Sequence, residues 1–247
     1  INRIAADHMS TLLFVPTQAG IANLSKEGFE LSYKTKATID APNVYHCGDV
    51  MYDNSLYFAQ LSTEKSRIIE ELKLNDTAFT LCTIHRDNNT DNPAALQAIF
   101  AALIQLVAAT NMRVILPLHP RTRSKISTLL SQEFQEKISK ETRIQLIDPA
   151  GFLDMIALEK NARLIVTDSG GVQKEAYFFA KPCVILREQT EWVEVVEAGA
   201  AILTGAHTDK ILSAADQLLA LAIQTDPAIF GDGQAARFIC EKLCSDL

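Results

Sequence analysis

Between residues 79 and 203 the chain alternates short β-branched apolar runs with amphipathic stretches about three helical turns long, and few folds accept that pattern. The runs are 79–84, 113–118, 144–147, 164–167, 183–186 and 201–203. Helical periodicity fills the gaps at 93–109, 124–139, 151–160, 171–179 and 191–197, and continues at 209–223 and 233–244. Strands joined by helices of this length run parallel through right-handed crossovers. Such a sheet is covered by helices on both faces. The expectation is an α/β fold with a doubly wound parallel sheet. Residues 1–46 fit less neatly: 2–9 reads as the end of a helix, 12–15 as a strand and 18–26 as a helix. Residues 51–72 read as one long helix opening the main domain.

Composition narrows the function classes. A net charge of −7 argues against general attraction to nucleic acid or to an anionic membrane, so an anionic ligand needs a local basic pocket. The five cysteines, Cys47, Cys82, Cys183, Cys240 and Cys244, lack metal-type CxxC spacing. They read as free thiols in a reducing cytoplasm, with Cys82 and Cys183 inside apolar runs. No signal peptide and no apolar run long enough to cross a bilayer is read in the sequence.

Open α/β sheets bind ligands beyond the carboxyl ends of their strands, so the residues there matter most. After 164–167 comes Asp168-Ser169-Gly170-Gly171-Val172-Gln173-Lys174-Glu175. Ser169 is a good helix cap, and Gly170 and Gly171 allow a ligand close to the backbone. The free N–H groups and dipole of the helix start favour a phosphate. Glu175, more than one turn inside, suits the vicinal hydroxyls of a ribose. The plain alternative is a capped helix whose glycines ease packing. After 79–84 come His85, Arg86, Asp87, Asn88 and Asn89. A guanidinium there suits a pyrophosphate, and an imidazole can donate to phosphate or move a proton. A solvated loop would look the same. His119 stands between Pro117 and Pro120 in a stiffened turn. Arg187 ends the next run, with Thr190 able to cap a helix that Glu191 starts, and Trp192 reads as packing between helix and sheet.

In that order, these residues resemble the non-hydrolysing UDP-N-acetylglucosamine 2-epimerase family. The match includes Asn2-Arg3 with Asp7-His8, Pro16-Thr17, Asn23-Leu24 with Glu27-Gly28, and Gly48-Asp49-Val50-Met51-Tyr52-Asp53. It continues through His85-Arg86 with Asn89, His119-Pro120, Asp148-Pro149, Thr167 to Glu175, Arg187 with Thr190-Glu191, and Gly231-Asp232-Gly233.

The resemblance implies a Rossmann-like C-terminal domain of a GT-B type two-domain fold, with a remnant of the N-terminal domain. Residues 1–46 would be that remnant, 47–230 the UDP-binding domain, and 231–247 a C-terminal helix. It implies His85 as a catalytic residue. Arg86, His119, Ser169, Gly170, Gly171, Glu175 and Arg187 would bind substrate. Uracil would meet backbone around 148–152. The reaction it implies inverts carbon 2 of UDP-N-acetylglucosamine by elimination and re-addition of UDP, with no cofactor and no metal. The partner is a UDP-sugar, the longer family members are often homodimers, and the product feeds polysaccharide synthesis. The family's other acid–base carboxylates precede the Asn-Arg found here at Asn2-Arg3. The chain alone is therefore expected to bind UDP weakly and not to epimerise. Trp192-Val193 stands where the better-known branch has Arg-Pro, which resembles the branch acting on UDP-2,3-diacetamido-2,3-dideoxy-glucuronate. A GT-B glycosyltransferase and a non-catalytic UDP-sugar-binding module are the remaining alternatives.

Overall fold

The computed structural model describes residues 2–246. Their contacts form two units: one is Phe58–Thr225, and the other joins the two ends of the chain, up to Tyr57 and from Asp226.

The smaller unit opens with α1 (Asn2–His8), β1 (Leu12–Val15), α2 (Gln18–Lys26) and β2 (Asn43–His46), followed by the start of α3 (Val50–Lys65). The first three follow the sequence expectation. β1 and β2 pair in parallel, Leu12 opposite Asn43 and Val15 opposite His46. Thr17 caps α2 by accepting from the Gly20 N–H at 3.2 Å. Ile21 and Leu24 of α2 then pack on Leu13, Val15 and Phe29. β2 was not visible in the sequence because only Val44 and Tyr45 interrupt its polar ends, and burial falls along it from Asn43 to His46.

The larger unit runs α4 (Ile68–Glu71), β3 (Phe79–Thr83), α5 (Asp87–Thr90), α6 (Pro93–Thr110), β4 (Arg113–Pro117), α7 (Pro120–Leu129) and α8 (Gln132–Lys140). It continues β5 (Ile144–Ile147), α9 (Phe152–Asn161), β6 (Leu164–Thr167), α10 (Gly170–Phe178), β7 (Cys183–Ile185), α11 (Val193–Glu197), β8 (Ala201–Leu203) and α12 (Thr208–Leu219). All six strands are parallel, in the order β5-β4-β3-β6-β7-β8. Chain direction across the sheet reverses between β3 and β6, which is where such sheets bind ligands. Cys82, Val114, Leu116, Val166 and Val184 face one core with α6 and α12, while their neighbours Leu81, Ile115, Ile165 and Ile185 are equally buried. Helices therefore cover both faces, as the strand–helix alternation implied.

Several expectations need correction. The helix expected at 51–72 is two helices, α3 and α4. At the break the Ser66 hydroxyl donates to Asp154 at 2.6 Å and accepts from the Ile68 N–H at 3.3 Å, which takes the chain out of helical geometry. The helix expected at 124–139 is also two, because Leu130 is extended and buried while Ser131 caps α8. Thr190 does not open a helix at Glu191; α11 begins at Val193. α6 spans 18 residues and is long and apolar enough to cross a bilayer, contrary to the expectation that no run is. Leu96, Ile99, Phe100, Leu103, Leu106 and Val107 of α6 instead form the core beneath the sheet.

The chain returns to the smaller unit with α13 (Pro227–Phe230) and α14 (Ala235–Asp246). The Asp49 N–H donates to the Phe230 carbonyl at 2.9 Å. Gly48, at φ 78°, passes so close that a Cβ there would meet that oxygen at 3.0 Å. Asp53 accepts from the N–H groups of Ala235 and Ala236 at 3.1 and 2.7 Å and so caps α14. Leu247, the end of the segment expected as 231–247, and Ile1, the start of 1–46, lie outside the described residues.

Candidate functional site

Asp168, the first residue beyond β6, organises the carboxyl edge of the sheet. Its side chain is wholly buried. It accepts from the His85 N–H at 3.1 Å, the Arg86 N–H at 3.1 Å and Asn89 Nδ2 at 2.9 Å. Asn89 Nδ2 also donates to the Leu186 carbonyl at 3.0 Å, tying the ends of β3, β6 and β7 together. One layer below, the Thr83 and Thr167 hydroxyls are 2.6 Å apart. Burial pushes the Asp168 carboxyl up, but the bonds from His85, Asn89 and Arg86 outweigh it and hold the group below the ordinary carboxylate value. Asp168 was not among the candidate residues. Its one sequence signal was an acid directly after an apolar run, where a charge must find donors.

His85 Nδ1 lies 3.3 Å from Asp168 Oδ1, and the imidazole is about half exposed. An ionised carboxylate only accepts, so the Nδ1 proton points at Asp168, which leaves Nε2 as the ring's acceptor in the singly protonated form. His119 is arranged the opposite way. It caps α7, with Nδ1 accepting from the Arg121 N–H at 3.3 Å, so its exposed Nε2 carries the proton and donates. Several bonds hold α7 beside the His85 loop. Thr122 donates to the Ile84 carbonyl at 3.2 Å, and Arg121 pairs with Asp87 and Asp91.

Ser169 caps α10 by accepting from the Val172 N–H at 3.5 Å. The N–H groups of Gly170 and Gly171 belong to the first turn, which has no acceptor within its own helix. A Cβ on Gly170 would meet nothing closer than Trp192 Nε1 at 3.5 Å and Glu191 Oε2 at 3.8 Å. Internal packing therefore does not require glycine at position 170.

Arg187, largely buried, is held by Glu191 through two bonds of 2.7 and 2.8 Å. The Arg187 bond, helped by the more distant Arg86 charge, keeps the Glu191 carboxyl down at about 2. Thr190 donates to Gln173 at 2.6 Å and accepts from the Trp192 N–H at 3.1 Å, joining the β7 loop to α10. Trp192 is only partly buried, with the Lys174 ammonium 4.0 Å from its ring centre. Glu175 is half buried one and a half turns along α10; burial raises its carboxyl and Lys174 opposes that.

The fold thus brings His85, Arg86, Ser169, Gly170 and Arg187 around Asp168, with His119 on the neighbouring helix start and Glu175 further along α10. A cavity of 790 Å³ opens at the same edge, lined by Arg86, Asn89, Asn92, Arg187, Glu188 and His207 among others. Of the candidates only Arg86 and Arg187 line it; the Ser169 turn, His119 and Glu175 do not. Among the described residues no cluster has metal-ligand character.

Comparison with known proteins gives a consistent picture. The family model described as UDP-N-acetylglucosamine 2-epimerase matches residues 1–244. The UDP-2,3-diacetamido-2,3-dideoxy-D-glucuronate 2-epimerase of Pseudomonas aeruginosa is 44% identical over 98% of the chain and 62% of its own length. A UDP-N-acetylglucosamine 2-epimerase homolog of Methanococcus maripaludis is 40% identical over 98% of the chain and 63% of its own. Among solved structures, the UDP-GlcNAc 2-epimerase of Methanocaldococcus jannaschii in complex with UDP-GlcNAc and UDP aligns with TM-score 0.82 and 31% identity over 98% of the chain and 63% of that structure. The chain spans less than two thirds of the length of these relatives. The match over nearly its whole length, on a parallel α/β sheet of the same kind, shows that the chain belongs to the UDP-N-acetylglucosamine 2-epimerase family.

Proposed function

We propose that this chain holds the UDP of a UDP-linked N-acetylated hexosamine and serves inversion at carbon 2, with UDP-N-acetylglucosamine as substrate. The carrying observation is Asp168, which fixes the His85–Arg86 backbone beside the capped start of α10. In this reading the first-turn N–H groups, the Ser169 hydroxyl, Arg86 and the His119 Nε2–H bind the diphosphate. Glu175 accepts from the ribose hydroxyls, and Arg187 steadies the edge through Glu191. His85 Nε2 faces the reacting sugar as a proton acceptor.

The chemistry is elimination followed by re-addition. The carbon 2 proton passes to a base, the carbon 1–oxygen bond breaks, and UDP leaves with the electron pair, giving a carbon 1–carbon 2 double bond. Return of a proton to the opposite face of carbon 2 and of UDP to carbon 1 completes the inversion, with no change of oxidation state. Fixed donors that stabilise leaving UDP and keep it in place serve both directions. In the same reading the chain is the C-terminal part of a GT-B type fold, and residues 1–46 belong with the other domain.

Titration calorimetry of the chain with UDP tests the site. Binding is expected, and its absence at millimolar UDP would overturn the assignment. Incubation of the complete two-domain protein with UDP-N-acetylglucosamine in deuterated water tests the reaction, since inversion by this route exchanges the carbon 2 hydrogen. Running the diacetamido-glucuronate nucleotide in parallel reads the sugar preference.

A further inference from the structure

Behind α10 lies a carboxyl group that the proposed mechanism does not use. Glu159, near the end of α9, is 1% exposed, and its Oε2 is buried with no hydrogen-bond partner among the described residues. α9 packs against α10, and the Glu175 carboxyl is close enough to act on Glu159 directly. Two acids therefore stand on the two helices of one contact, near enough for their charges to interact. Burying an unpaired carboxylate is far more costly than burying the neutral acid, and two like charges in a low-dielectric space cannot both be ionised cheaply.

The surroundings decide which acid keeps its proton. Around Glu159, β7 contributes only the Cys183 thiol, itself buried and pushed up partly by Glu159. On the other side α4 carries Glu70 and Glu71, with Arg67 engaged by Glu70. The adjacent Lys160 ammonium is turned to Thr63 at 3.0 Å. Glu175 differs: it is only half buried, and the Lys174 ammonium on α10 favours its ionised form. α11, also packed on α10, adds Glu194 and Glu197. Burial pushes Glu159 well above the ordinary range and Glu175 less decisively, in line with this asymmetry.

We propose that Glu159 is a positioning residue for the ribose-binding carboxylate: held neutral between α9 and α10, it leaves the single negative charge of the pair on Glu175. The proposal rests on Glu175 as the ribose acceptor. An ionised Glu175 accepts from both vicinal hydroxyls, whereas a protonated one would spend an oxygen as donor. When Glu159 loses its proton at alkaline pH, the pair carries two like charges, their repulsion turns Glu175 away, and ribose recognition fails.

The test compares the chain's affinity for UDP and for 2′-deoxy-UDP from pH 6 to about 10, well above the ordinary carboxylate range, because burial pushes the Glu159 carboxyl up. At pH 7 the chain is expected to prefer UDP by about tenfold, the value of a hydrogen bond to a charged group. That preference should decline on the alkaline side. E159Q, shaped like the neutral acid, should keep the preference at pH 7 and hold it through the alkaline range. Loss of the preference in E159Q at pH 7, or an alkaline decline that persists in E159Q, would overturn the proposal. Urea midpoints over the same range separate the two assignments. If Glu159 is neutral, the midpoint of E159Q rises relative to the parent chain as pH increases. That rise without any preference for UDP over 2′-deoxy-UDP would sink the ribose assignment while leaving the buried proton standing, and no rise would sink the Glu159 assignment itself.

Discussion

Asp168 is the residue on which the site depends, because one carboxylate satisfies two backbone donors of the loop after β3 and a buried amide. Asp168→Asn keeps the shape but turns one acceptor oxygen into a donor that faces other donors. We expect a loss of about 3 kcal/mol in urea unfolding, the scale of a buried charged hydrogen bond left broken. UDP binding should weaken with it, because His85 and Arg86 are positioned through the same atoms. The sign with pH follows from the depressed carboxyl. Its stabilisation is present above the unfolded value near 3.9 and is lost as pH falls through the lower folded value. The parent chain should therefore lose stability over that acid range, and Asp168→Asn should lose less of it there. Gly170→Ala is the complementary test. Its methyl fits against Trp192 and Glu191 at ordinary contact distance, so the unfolding midpoint should barely move. A diphosphate lying on the N–H groups would meet that methyl, and UDP affinity should drop about tenfold, the cost of roughly one lost hydrogen bond. Equal affinity would show that no ligand approaches there.

Helix starts do much of the positioning at the level of elements. His119, Ser131, Ser169 and Asn92 each cap a helix with their own side chains. Asp53 does the same for α14 from a distance in sequence, linking the Gly48–Asp53 stretch to the segment after Gly233. Asp53→Ala should cost about 1 kcal/mol, the usual value of a lost cap, seen as a lower urea midpoint with UDP affinity unchanged. Element type was legible from periodicity wherever a run was long and apolar, as in β3, β4 and α6. It was misjudged where tertiary contacts cut a periodic stretch, at Ser66 through Asp154 and at Leu130 through burial. Sequence periodicity carries no mark of those contacts, since their partners lie far along the chain.

For the whole molecule, ligand linkage gives the broadest check. UDP that binds only the folded chain should stabilise it by about 2.7 kcal/mol when present at a hundredfold excess over its dissociation constant. Thermal denaturation with increasing UDP reads this as a rising midpoint, and a flat midpoint would contradict binding to the native state. Taken by itself, the sequence determined the parallel α/β class, the covering of both sheet faces, and the strand ends where polar groups gather. Those properties are written in apolar spacing over a few residues, which each segment carries locally. Only the tertiary structure decided that Asp168 binds Asn89 and Arg86, 79 and 82 residues away, and that Glu159 and Glu175 meet at the contact of α9 with α10. A buried polar group takes whichever partner the closed sheet brings within reach, and that choice exists only once distant strands lie side by side.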